Sequence, residues 1–321
     1  MENVETKIIK LLVLLVGFLL SGCIHTYPDG DGIDPTLVQV GAEISVDINW
    51  DTNIINFTKS QDSSHRLIIE FSRNGNKIGR CEHILSSTEY EAGNVRLIMP
   101  FDFHAVSYDV NAWLDCTSTL DNQDTFYNAE DLSFVKRNDN HIAWSEDMAC
   151  ACFSSEVNLQ EYKNQWGAKV IVPIMLTTPL ARFEIIATDL SQFLNFASEY
   201  IKLGETYSVC LSFERRVPQG YNVTKSESSS FLESPEYYFQ FPFSDSKIAS
   251  GAVFVGDDTM ELAAKVLVYN SARIIVSKSP TILFPVERGK ITIIKGDLLT
   301  DYVSNTINVN NIWDGEIIIE L

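Results

Sequence analysis

The sequence predicts an all-β protein made of two tandem antiparallel β-sandwich domains, with one short helix in the second. Three observations predict it. Apolar residues recur at every second position along many short stretches. Turn residues separate these stretches, and no long alternation of strand and helix occurs. The chain has 321 residues, generous for one sandwich and comfortable for two.

Residues 1–22 read as an export signal. Lys7 and Lys10 precede the apolar run "IIKLLVLLVGFLL". At about 1.5 Å per residue this run is too short for a hydrocarbon core of roughly 30 Å. Leu20-Ser21-Gly22-Cys23 follows the lipobox pattern: an aliphatic residue, two small residues, then the cysteine that becomes a lipidated N-terminus. Small residues give a peptidase access to the bond before Cys23. A retained anchoring helix is the alternative. Residues 23–36 are then a lipidated tether, rich in Asp, Pro and Gly and unable to bury much. Its "DGDGID" (Asp29, Asp31, Asp34) resembles part of a calcium loop. The spacing breaks after the second aspartate and the bidentate Glu is missing, so a hydrated spacer is expected.

The first domain is expected over 37–172. "TLVQVGAEISVDINW" places Ile44, Val46 and Ile48 on one face, against Ser45, Asp47 and Asn49. "RLIIEFSRNGNKIGR" is a hairpin turning at Asn74-Gly75. "HAVSYDVNAWLDC" alternates from Val106 to Leu114, with Trp113 out of place on the polar face. The seam is expected near 168–180, where Pro173 and Pro179 interrupt "KVIVPIMLTTPLARFEI". The second domain is expected over 173–321. In it, Leu190, Phe193, Leu194, Ala197 and Ile201 fall at helical spacing, with Thr188 or Asp189 to cap the start and Gly204 to close. "TYSVCLSF" alternates strictly, and four more short strands end in "EIIIEL". "KSESSSFLESPE" (225–236) reads as a surface loop.

The net charge is −19, and the signal carries equal numbers of acidic and basic residues, so its removal leaves that value unchanged. Phosphate backbones and anionic lipid surfaces would repel this chain, so no nucleic-acid partner is expected. Five cysteines remain after Cys23 (Cys81, Cys116, Cys150, Cys152, Cys210). An odd number cannot all pair within the chain, and they read mostly as small buried apolar residues. No nucleophile elbow, zincin helix, P-loop or dinucleotide fingerprint occurs. Cys81-Glu82-His83 has no second ligand pair at a matching distance. Neither an enzyme nor a metal or cofactor is expected. "EYYFQFPF" (236–243) is aromatic enough to form a platform, although half of those rings belong in a core.

Several segments in order resemble the fimbrial subunit lipoproteins of Bacteroidales, the FimB/Mfa2 and Mfa-like group. They are "LLSGCIHTYPDGDGIDPTLVQV", "HRLIIEFSRNG", "DVNAWLDCTSTLDNQDTFYNAEDLSFV", "TTPLARFEIIATDLSQFL" and "PVERGKITIIKGDLLT…NIWDGEIIIEL". The resemblance implies two transthyretin-like sandwiches without enzymatic activity. It also implies partnership with other fimbrial subunits through β-strand pairing or exchange. In polymerising members of the group, a protease cuts after an arginine beyond the first strand, and a neighbour's strand fills the groove that opens. Carried onto this chain, the strand-exchange edge is Leu37, Val38, Val40, Ile44, Val46 and Ile48. The processing site is Arg66, whose plainer role is to open a strand. The C-terminal strand of Ile317, Ile318, Ile319 and Leu321 could pair at home or donate to a partner. Lipid on Cys23 implies an outer-membrane, cell-surface location, with host or bacterial surface ligands as further partners. The alternative is a surface glycan-binding lipoprotein of a polysaccharide-uptake system. That reading requires two or three exposed aromatics beside carboxylate or amide groups.

Overall fold

The computed structural model describes residues 38–48, 63–118, 124–138, 143–202, 204–240, 246–256, 259–300, 308–312 and 316–320. Cys23, the tether, Leu37 and Leu321 lie outside the described residues. The protein is all-β, as its alternating pattern predicts.

In the first sandwich, β1 (Gln39–Ile48) lies between β4 (Asn94–His104), to which it is antiparallel, and β9 (Lys169–Leu176), to which it is parallel. The facing sheet runs β3 (Asn76–Ile84), β2 (Ser63–Arg73), β5 (Ser107–Ser118), β8 (Ala151–Asn158). The inward residues of β1 pack on Leu67, Ile69, Phe71, Val110 and Leu114, as period two demands. Asn74 and Gly75 both have positive φ (52° and 79°), which suits a tight hairpin turn. A six-residue helix, α1 (Ser87–Ala92), adds to the single helix expected. Ser86 and Glu89 form its capping box, a signal present in "SSTE".

In the second sandwich, β10 (Leu180–Ala187) lies between β15 (Lys247–Phe254), antiparallel, and β19 (Ile291–Gly296), parallel. Beyond β19 the sheet continues with β21 (Glu316–Glu320) and then β20 (Asn308–Ile312). The facing sheet runs β14 (Glu236–Gln240), β11 (Tyr207–Phe213), β16 (Met260–Asn270), β17 (Ile275–Lys278), and β18 (Ile282–Val286) also pairs with β16. The expected helix is α2 (Leu190–Lys202), which buries Phe193 and Ala197. Asp189 at its start is fully buried, and its carboxylate accepts the backbone N–H groups of Leu298, Leu299 and Thr300.

The two sandwiches repeat one topology. Each opens with a strand held between an antiparallel and a parallel neighbour. In each facing sheet the second strand pairs antiparallel with an edge strand on one side and a long strand on the other, β3–β2–β5 in one and β14–β11–β16 in the other. The sequence has no readable repeat because the pairing pattern constrains only which positions are apolar. The sheets are mixed, since β1–β9, β10–β19 and β19–β21 are parallel. Alternation alone does not distinguish a parallel from an antiparallel neighbour.

A fifth sheet welds the halves. β6 (Tyr127–Asn128) and β7 (Val135–Arg137) come from the first, and β12 (Val217–Asn222) and β13 (Glu227–Leu232) from the second, in the order β13–β12–β7–β6. The Ser-rich stretch expected to be a loop therefore contains a strand. Behind this sheet lies a separate core that includes Trp113, Tyr127, Leu180, Tyr221 and Phe254. Trp113 is fully buried because the outer face of β5 is covered here, which explains its place on a face that reads as polar. The expected boundary at 172/173 falls inside β9. The chain crosses between the sandwiches at 177–179.

Candidate assembly site

Expected to be an edge, β1 is the middle strand of its sheet. Val40, Ala42, Ile44, Val46 and Ile48 are at most 3% exposed, and Val38 just ahead of the strand is buried as well. Burial of these side chains stabilises the strand by an amount on the order of 10 kcal/mol. Its loss would leave an apolar groove between β4 and β9.

Both free edges of this sheet are blunted. Gly41 N donates to Ala168 O, and in the parallel register every second peptide group repeats this, so those of Val172 and Ile174, four and six residues further on, also face β1. Pro173, between them, therefore presents its nitrogen to the free edge and denies it a donor. Pro100 in β4 lies where the register slips between Gly41 and Glu43. Around β1 the outer face carries Ile98, Ile171 and Met175, each at least 59% exposed, with Glu43 directly between Ile98 and Ile171.

Arg66 is part of a strand. It sits within β2, between Ile84 of β3 and Asp115 of β5, and is 6% exposed. Its Nε and Nη2 donate to the two Asp115 oxygens at 3.1 and 2.8 Å, and its Nη1 pairs with Asp124 at 2.6 Å. Trp113 Nε1 donates to Asp115 at 3.0 Å. Burial pushes the Asp115 carboxyl up to about 6 against the pull of Arg66 and Trp113, so it is ionised at neutral pH. Arg80 lies beside this group and bonds Glu70, Glu82 and the carbonyls of Ala129 and Glu130, so these charges neutralise one another. A protease needs an extended, detachable segment, and the folded chain does not offer the Arg66–Leu67 bond in that form. The expectation of processing there meets a buried, doubly paired arginine.

At the far end of the chain, β21 pairs parallel with β19 and antiparallel with β20. Its Ile317, Ile318 and Ile319 thus belong to their own sheet.

Among the described residues the cysteines form no disulfide. Cys116, Cys150, Cys152 and Cys210 are buried, and Cys81 is partly buried. Burial raises the thiols of Cys116, Cys150 and Cys210. His83 meets the Glu89 carboxylate at 3.0 Å. Among the described residues no group of three or more His, Cys, Asp or Glu side chains is arranged to hold a metal ion. Among them also, no helix is long and apolar enough to cross a membrane.

Sequence reasoning missed the junction. Arg288 donates to Thr178 O and Thr177 Oγ1, each at 2.8 Å, and to the Tyr221 hydroxyl at 3.1 Å. Arg137 donates to Ala252 O at 2.8 Å. Nothing in the local pattern of either arginine marks it for such a role.

These features define a welded double sandwich whose first strand is enclosed by its own sheet. Residues 35–321 match DUF6562, a family of unknown function, and the chain belongs to that family. No curated protein matches it. Among solved structures it is similar to a candidate cell adhesion protein from Bacteroides eggerthii, at 13% identity and TM-score 0.42, covering 88% of this chain and 98% of that one. It is similar also to a fimbrial assembly protein from Parabacteroides distasonis, at 11% identity and TM-score 0.38, covering 81% and 90%. A third is the fimbrial anchor protein Mfa2 from Porphyromonas gingivalis, at 10% identity and TM-score 0.39, covering 75% and 82%.

Proposed function

We propose that the chain is a lipid-anchored subunit of a fimbria-type filament, of the anchor or accessory kind, held at the outer surface through Cys23. The observation that carries this reading is that β1 is enclosed on both sides while Arg66, whose cleavage would free it, is buried and paired inside β2. A subunit that polymerises by exchange must give up its first strand. One that keeps the strand fills its own groove and suits the end of a filament, where the lipid also belongs. The lipobox and the ordered fimbrial motifs support the same reading. With the edges of the β4–β1–β9 sheet blunted, other subunits meet this sheet on its outer face around Ile98, Ile171 and Met175.

Digestion of the folded protein with an arginine-specific protease tests the self-completed subunit. Intact-mass analysis is expected to find no cut at Arg66–Leu67, and a new N-terminus at Leu67 would contradict the reading. Cys23→Ala is expected to abolish acylation and move the protein out of the membrane fraction. An unchanged membrane fraction would remove the anchor.

A further inference from the structure

We propose that the outer face of the β14–β11–β16 sheet is a carbohydrate-binding platform centred on Tyr238 and Tyr269. The inner face of this sheet carries Val209, Leu211, Tyr237, Val266 and Val268 into the second core. The outer face is wet along β14, where Glu236, Tyr238 and Gln240 are exposed, while Cys210 and Leu267 on the same face are buried. There Tyr238 is 58% exposed, and its ring centroid lies 6.0 Å from that of the part-exposed Tyr269, with the planes at 49°.

The strand between them makes this possible. Tyr238 is opposite Cys210 and Tyr269 is opposite Ser208, on neighbouring positions of β11. Small residues at both positions let two rings lean across β11 from its two sides. Cys210 beneath them is fully buried. The result is an apolar surface two rings wide.

Polar groups border it. Tyr238 donates its hydroxyl to Glu236 at 2.9 Å, a bond that raises the phenol pKa and fixes its direction. Glu236 and Gln240 are exposed on the same face of β14. Sugars present C–H faces that stack on aromatic rings and hydroxyls that bond to carboxylates and amides, so the surface offers both halves of that recognition. A tilted ring pair suits successive sugars of a twisted chain better than one flat face. The two-ring area is small beside the roughly 800 Å² per partner of a stable protein interface. Two tyrosines that only stabilised the sheet as a cross-strand pair would not need such exposure or the bordering amide. The platform stands whether or not the chain joins a filament.

Native gels cast with soluble xylan, glucomannan, pectic galactan, dextran or mucin provide the test. At least one is expected to retard the purified protein, and Tyr238→Ala or Tyr269→Ala is expected to weaken that retardation by about tenfold. Tyr238→Phe keeps the ring and is expected to keep most of the binding. If Tyr269→Ala lowers the melting temperature, the exposed Tyr238→Ala and Gln240→Ala carry the test. The proposal is overturned if none of these glycans retards the protein, or if retardation is unchanged in the tyrosine variants. It is also overturned if those variants lose self-association in sedimentation while glycan binding is absent, since the face would then dock protein.

Discussion

Asp115 is the residue on which the interior charges of the first sandwich turn. It accepts from Arg66 and Trp113 in a site without solvent exposure. Its folded pKa of about 6 lies above the ordinary 3.8. Between those values the folded protein holds a proton that the unfolded chain has released, so stability from this group falls as pH rises through the window and returns as pH drops. Asp131 acts the other way. Its pKa is lowered, chiefly by the bond from Ser133, so its contribution is present above its ordinary 3.8 and is lost in stronger acid. Asp115→Asn removes the first effect. Urea midpoints between pH 4 and 7 are expected to show the parent gaining on the variant as pH falls from 6 to 4, by up to about 3 kcal/mol. Parallel curves would mean that Asp115 carries no proton in that range.

The strands of the joining sheet illustrate why an element can depend on one missing atom. Gly220 in β12 faces Lys136 of β7 and Ser229 of β13. A Cβ there would sit 2.6 Å from Val135 O and 2.9 Å from Ser229 Oγ. Gly220→Ala must push the strands apart, and it is expected to lower stability by about 1–3 kcal/mol in thermal or chemical unfolding. Much of the rest of the element layout was legible. Ile44, Val46 and Ile48 announced β1, Asn74-Gly75 announced the β2–β3 hairpin, and Leu190 to Ile201 announced α2. What escaped has a common physical cause. Local alternation reports which side of a strand is dry, and it does not report what makes it dry. Trp113 looked misplaced, and nothing marked Arg66 as buried, because the cover over them comes from distant sequence: the stretch around β6 and β7, and, for Trp113, residues beyond 220. The serines of β13 looked solvated because small polar residues serve equally in a loop and in a short edge strand.

Duplication and joining together shape the whole molecule. Two copies of one sandwich topology each carry an insertion, β6–β7 in the first and β12–β13 in the second, and the insertions pair with each other. Trp113, Tyr127, Phe254 and Tyr221 then form an unbroken series of ring contacts across the junction, from 5.6 to 5.9 Å between centroids. Such a junction, with its own buried core, couples the halves. Calorimetry is expected to record one transition for the intact protein. Arg288→Ala, which removes the bonds to Thr177, Thr178 and Tyr221, is expected to broaden or split it. Two transitions in the parent would mean the halves unfold separately.

The position of β1 has a mechanical consequence. Pulling on its N-terminal end along the strand axis would load its hydrogen bonds to β4 and β9 together, in shear, so that no bond could open first like the tooth of a zipper. The parallel β9 would resist sliding over eight consecutive residue pairs, Gly41 to Ile48. A strand enclosed in this way can bear tension between a fixed point before it and a body after it, and the Arg66 pair inside β2 anchors the next strand in line.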